Sequence, residues 1–582
     1  MALLLTVTMG FGLFAAMPAS ADPAVADTPL VSTFGAQTQD SPFTTYTIVD
    51  PGNGENGAEV LTWDQIPGSS SSRTLLLTIG DTVNILATTS PTVRTKIEFW
   101  HGIDRKKGDP LIQYPCTVAG VAGVTYENIY IVTVGDTVIQ DLSIHAGDYS
   151  ALTFNAAMMG IVPSTGIDDF YARGYQYYNS DTTLAVIGDC FLESYLNGIY
   201  MSIYAIGRLT IDGPGTLTAR GRNAGIRYDY VEYSPDKQEA GVITINTHVV
   251  TEGDSYGSIG LALGALGNIY ANAGGQRFEV NGTGSLITRT AVDSIVPEHK
   301  GHEPGEGIVC RGRELTFSGD VKIFAKGETT LAGLNIQQLT IEDKPKVIFD
   351  LNDDAVFEGG DYGPGVRVQG IFQNSTINII NKGSGNVVFR GGAIHGNGID
   401  FNIGHSGTIL ALLNTGTGRF VVKGSGHGNG MYFATPNAIL DISGLNYDLE
   451  LIGGESVPTR LPEPDPYGHI EGGLLLNHIR TSAGVLMDTY GYTIILGNNN
   501  LLCQGGARGG AGIDFSRTSS LTVESTGGQL YAMGGKGPFG NGLYVNPPTI
   551  NISGNGTINL DSDVTLNALG GAKAPDVSGT IR

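Results

Sequence analysis

Two near-copies, HGNGIDF (His395 to Phe401) and HGNGMYF (His427 to Phe433), put a glycine-flanked histidine at the same point 32 residues apart. An imidazole between glycines is sterically open and titrates near neutrality, so it could serve as a general acid or base. A catalytic group is needed once, whereas a doubled one at fixed spacing is what stacked repeats produce. Asn397 and Asn429 recur with the histidines. Asparagine tolerates left-handed turn conformations and can hydrogen-bond to its copy in the next repeat. The expectation is a structural corner that the chain uses twice.

Other candidate chemistry comes from acids and tyrosines. DLNDDAVFEGGD sets Asp350, Asn352, Asp354, Glu358 and Asp361 at the oxygen-ligand offsets of a calcium loop. Ala355 stands where that loop needs its turn glycine, and Asp361 where it needs a bidentate Glu, so an EF-hand is excluded. A looser surface calcium site from Asp350, Asp354, Glu358 and Asp361 remains, with a solvated acidic loop as the alternative. GGAGIDFSR (Gly509 to Arg517) begins like a calcium nonapeptide, but Ser516 replaces the apolar eighth residue and the stretch does not recur. Tyrosines crowd FYARGYQYYNSD (Phe170 to Asp181) and YDYVEYSPD (Tyr228 to Asp236). Tyr228, Tyr230 and Tyr233 could stack on sugar C–H faces beside hydroxyl-binding acids, or could merely cover a loop. No Gly-x-Ser-x-Gly elbow, phosphate loop or dinucleotide fingerprint occurs in a fitting context.

The elements that would position these groups are short and repeated. Gly followed by apolar, any, apolar recurs at Gly198, Gly225, Gly260, Gly307, Gly333, Gly365, Gly398, Gly430, Gly473, Gly512 and Gly542. The widest gaps hold evident insertions, TAVDSIVPEHKGHEPGE and SVPTRLPEPDPYGH, and without them the unit is near 30 residues. Between anchors lie two more alternating runs broken at Gly, Asn or Asp, as in RLTIDGPGTLTARG. Three short strands per unit describe one coil of a parallel β-helix, an all-β solenoid whose coils stack about 4.8 Å apart. In each anchor the two apolar residues face inward and the residue between them faces out. The outward set is Tyr200, Arg227, Ala262, Val309, Asn335, Arg367, Asp400, Tyr432, Leu475, Asp514 and Tyr544. Arg367, Asp400 and Tyr432 join the tyrosines as candidate binding residues on a wet flat face.

Bulk properties narrow the class. The 582 residues include 86 glycines, are 41% hydrophobic and only 15% charged, which excludes disorder and collagen. A net charge of −23 argues against a nucleic-acid partner. An apolar run from Ala2 to Ala16, then Pro18 and Ala19-Ser20-Ala21, reads as a secretory signal over residues 1–21, although its positive n-region is missing. No later segment is expected to span a membrane, and PDVSGTIR shows no anchor motif. Cys116, Cys190, Cys310 and Cys503 are too dispersed for a zinc site and read as buried thiols, with a Cys116–Cys190 bridge as the alternative. The expected organisation is a polar lead over 22–50, irregular first coils or a β cap over 51–195, the helix proper over 196–575 and a tail over 576–582.

LTIDGPGTLTARGRNAGI (Leu209 to Ile226) and INISGNGTINLDSDVTLNALGGA resemble secreted bacterial right-handed β-helix proteins of the carbohydrate-binding, pectate-lyase-like surface class. That resemblance implies a right-handed helix and polysaccharide binding, often with calcium. GHGNG (Gly426 to Gly430) also contains the Gly-His-Gly of a polygalacturonase active site. The Asn-Thr-Asp and Arg-Ile-Lys triplets of that site are missing, and Asp353-Asp354 lies too many coils before His427. The leading expectation is a secreted or cell-surface protein that binds polysaccharide or acts as an adhesin. A polysaccharide lyase or glycoside hydrolase on the same scaffold is the alternative, and a purely structural surface protein the third. Acids and a basic residue clustered in one groove favour the enzyme; a broad tyrosine-lined face favours binding.

Overall fold

The computed structural model describes residues 43–52, 59–100, 115–133, 135–154, 181–201, 208–229, 240–254, 258–264, 277–291, 305–338, 345–370, 376–403, 407–454, 485–487, 491–506, 512–514, 520–533, 543–544, 549–554 and 557–560. Among them there is no α-helix, and one short 3-10 turn lies at Trp63–Gln65. The chain winds. A representative coil runs Arg208–Asp212, Thr216–Gly221 and Ala224–Tyr228, and Gly241–Ile245 begins the next. Each strand pairs in parallel with its counterpart one coil on, as in Leu209↔Ile243, Leu217↔Val249 and Ile226↔Leu261. Three sheets of 17, 14 and 15 strands result among the described residues, and the fold is a right-handed parallel β-helix with three strands per coil. The sheets are called first, second and third in the order a coil visits them.

Strands before Gly198 stack in the same sheets. Thr45–Ile48 pairs with Thr82–Ile85 in the first, and Ser72–Thr78 with Arg94–Trp100 in the third. The Gly-Asp turns there tie coils together: Asp81 accepts the Thr44 and Thr78 N–H groups at 2.8 Å each, and Asp136 accepts that of Thr183 at 2.7 Å.

Strand alternation sends every second side chain into one continuous apolar shaft. Identical side chains stack there: Phe317 on Phe349 at 5.4 Å between ring centroids, Phe357 on Phe389 at 5.9 Å, Phe401 on Phe433 at 5.4 Å. All four cysteines are buried free thiols, so the Cys116–Cys190 bridge does not form. Burial pushes the Cys116 and Cys310 thiols up to about 12.

The anchor glycine has a steric cause. A Cβ on Gly365 would meet the backbone of Arg390 N at 2.5 Å and Phe357 O at 2.8 Å, and one on Gly307 would meet Gly333 O at 2.5 Å. The turn from the second sheet into the third is too tight for any side chain at that point. One anchor is corrected. The strand above Met431–Phe433 is Val485–Met487, with Leu486 opposite Tyr432. The repeat copy is therefore Gly484-Val-Leu-Met, while Gly473 and Leu475 lie outside the described residues. Both stretches fit the pattern, and only the register separates them.

Connection length is unequal at the three corners. From the first sheet to the second the longest connection runs between Asp441 and Leu449. Much longer ones join Phe154 to Asp181, Thr290 to Glu306 and Ile452 to Val485, all entering or leaving the third sheet. Both borders of the third sheet thus carry the large insertions, and its outer face is the natural floor of a site.

Candidate functional site

Eight outward residues of the third sheet lie in one register: Tyr200, Arg227, Ala262, Val309, Asn335, Arg367, Asp400 and Tyr432. Outward does not mean wet along the whole row. Ala262 and Val309 are buried with Ala224 and Ile259 in a second apolar cluster, and Asn335 is fully buried. The expected flat solvated face is corrected to one with a covered middle.

At one end, Arg227 holds Asp229 through two contacts, Nη2 to Oδ2 at 2.6 Å and Nε to Oδ1 at 3.0 Å. The Tyr200 hydroxyl donates to Asp229 Oδ2 at 3.3 Å, and the Arg227 guanidinium sits 5.4 Å over the Tyr200 ring. Burial pushes the Asp229 carboxyl upward, opposed by Arg227. Further along, Asn335 Nδ2 donates to the buried Glu306 carboxylate. Burial raises Glu306 as well, opposed by Asn335 and by the charges of Arg367 and Arg311. Arg311 donates to Gln337 at 2.9 Å, and its own burial lowers its pKa. Arg367 faces Asp400 at 3.7 Å and donates to the Thr330 carbonyl at 2.8 Å. Burial raises Asp400, and Arg367 opposes it. Half-buried Tyr432 lies one coil above Asp400. Each carboxylate therefore has a named donor on its own or a neighbouring coil.

The sequence candidates fall unevenly on this frame. Arg367, Asp400 and Tyr432 lie together on consecutive coils. Tyr228 does not join them: it is fully buried, its ring edge-on to Phe278 at 5.8 Å, because it occupies the second inward position of its anchor. Tyr230 and Tyr233 lie outside the described residues. Asp229, Glu306 and Arg311 were missed, although each sits just beside an anchor motif.

The calcium candidates are not brought together. Asp350 lies in the first-sheet strand Lys346–Leu351, Asp354 at the corner entering the second sheet, Glu358 ends the strand Ala355–Glu358, and Asp361 lies beyond it. Asp354 accepts the Asn386 N–H at 2.7 Å, and Glu358 faces both Lys326 at 3.4 Å and Arg390 at 3.3 Å. Among the described residues no three His, Cys, Asp or Glu side chains gather as a metal-holding group. Loop spacing misleads here because these residues are in two strands and two corners.

The second sheet carries a separate charge row in register: Glu127, His145, Glu193, Arg220, Glu252 and Arg289. His145 Nδ1 lies 3.3 Å from Glu193, Arg220 bridges Glu193 at 3.2 Å and Glu252 at 2.6 Å, and Arg289 reaches Glu252 at 2.9 Å. These are ion pairs between side chains that satisfy one another, so the row reads as structural.

Comparison with protein-family models, with curated proteins and with solved structures found no match to this chain.

Proposed function

We propose that the chain is a secreted or cell-surface β-helix protein that binds polysaccharide along the outer face of its third sheet. The observation that carries this is the Tyr200–Arg227–Asp229 cluster, continued by Arg367, Asp400 and Tyr432 in the same register. Parallel stacking sets polar groups of consecutive coils about 4.8 Å apart at Tyr200–Arg227 and at Arg367–Asp400–Tyr432, on either side of the covered middle, a spacing suited to an extended polymer rather than a compact ligand. Asp229, Glu306 and Asp400 are each engaged by a neighbour, which favours holding over acid–base cleavage. An adhesive role at a surface follows from the same face. The lyase or hydrolase alternative has in its favour the upward push on Asp229 and Glu306.

Affinity electrophoresis of the full chain in gels cast with a panel of polysaccharides tests the reading. Retention by at least one polysaccharide, weakened about tenfold by Arg227→Ala, is the expected result. New reducing or unsaturated ends in the same gels would transfer the face to the enzyme alternative. Retention by none would leave the structural role.

A further inference from the structure

We infer that the ligand of the third sheet's outer face is a neutral polysaccharide, rich in hydroxyls and without carboxylate or sulfate groups; this rests on reading that face as a glycan-binding surface. The charges between Tyr200 and Tyr432 are matched. Arg227 is paired to Asp229 and Arg367 to Asp400, while Arg311 lies within the electrostatic reach of both Glu306 and Asp229. Between Tyr200 and Tyr432, three cations thus stand against three carboxylates among the described residues of that face, on a chain whose net charge is −23. An anionic polymer would meet no surplus positive charge there and would be repelled by the molecule as a whole.

Hydroxyl recognition needs the opposite arrangement. A sugar hydroxyl both donates and accepts, so it is bound best where a donor and an acceptor stand side by side. A guanidinium has five N–H groups and a carboxylate about four lone-pair positions, so an Arg–carboxylate pair keeps unused valence of both kinds. Arg227 commits Nε and Nη2 to Asp229, and the Tyr200 ring beneath the guanidinium fixes that pair in place. Tyr432, one coil beyond Asp400, adds an aromatic surface for sugar C–H groups. Capture of a polyuronate through calcium would need gathered acids, and among the described residues no such group exists.

Retention of the full chain is compared on neutral polymers (a β-glucan and a galactomannan) and on polygalacturonate and alginate, each at low and high salt and with and without calcium. The expected pattern is retention by a neutral polymer that salt leaves unchanged, and none by the polyuronates. Asp400→Asn frees the charge of Arg367 and should raise polygalacturonate retention on the order of tenfold at low salt. Wild-type retention confined to polyuronates, or collapsing with salt, overturns the neutral ligand while sparing the glycan reading. Retention by no polymer overturns the glycan reading itself. An Asp400→Asn variant no better on polygalacturonate than the wild type overturns the role given to charge matching.

Discussion

The imidazoles of His395 and His427 lie one above the other, with ring centroids 6.2 Å apart and planes tilted by 40°. Their main chains stack too: His395 N donates to Asp361 O at 2.9 Å, and His427 N to Ile394 O at 2.9 Å. Next to them Asn397 Oδ1 accepts both the N–H of Asn429 at 2.9 Å and its Nδ2 at 3.0 Å. The doubled histidine is a corner, and the asparagines beside it are what hold that corner.

It follows that the asparagines, not the histidines, carry stability. Asn397→Ala removes the acceptor for two groups of Asn429, which is only 2% exposed. A cost of about 1–3 kcal/mol is expected in urea unfolding. The double change His395→Ala with His427→Ala, at half-buried positions, should cost less than about 1 kcal/mol and leave glycan retention unchanged. Lost retention at an unchanged melting temperature would place a site at the corner.

The anchor glycines make a second prediction. Gly365→Ala forces a methyl group against Arg390 N and Phe357 O, both backbone atoms that cannot swing away. Overpacking of this kind costs about 1–3 kcal/mol, and here a rigid coil must shift to accommodate it. Gly135→Ala is the control, because its nearest neighbour is a side-chain atom 4.0 Å distant. Its midpoint in thermal unfolding should stay close to that of the wild type. Equal losses in the two variants would mean that the motif reflects backbone entropy rather than close approach.

Why the fold was legible and the site only half so comes down to range. The period of the coils is written locally, since a tight corner demands glycine and strand parity demands apolar pairs around one outward residue. Ile399, Asp400 and Phe401 display the rule directly, with Asp400 outward between two core residues. The same rule placed Tyr228 inward, beside Ile226, and its chemistry drew attention that its parity did not support. Pairings such as Asn335 with Glu306 join residues 29 apart and depend on a register that only the stacked coils supply. The burial of Ala262 and Val309 leaves no local trace at all, because an outward strand position reads alike whether or not something covers it.

His145 supplies the last prediction, one of pH. It lies between Glu127 and Glu193 in the second sheet. The hydrogen bond with Glu193 raises its pKa above the ordinary histidine value, burial opposes that, and Glu127, Glu193 and Asp254 reinforce it. A raised folded-state value means the protonated ring is preferred in the native protein. Its contribution is fully present below the unfolded value of about 6.5 and is lost as pH rises through the higher folded value. The buried carboxyls Asp136, Asp229, Glu306 and Asp400 act in the same sense at lower pH, so the comparison must be between proteins rather than along one curve. His145→Gln keeps a hydrogen-bonding group but does not titrate. The stability gap between wild type and this variant should therefore be widest near pH 5 and shrink through neutrality, as measured by urea midpoints at matched ionic strength. A gap that stays constant with pH would show that His145 sits in the row for its packing against Tyr195, 5.1 Å away and edge-on, and not for its charge.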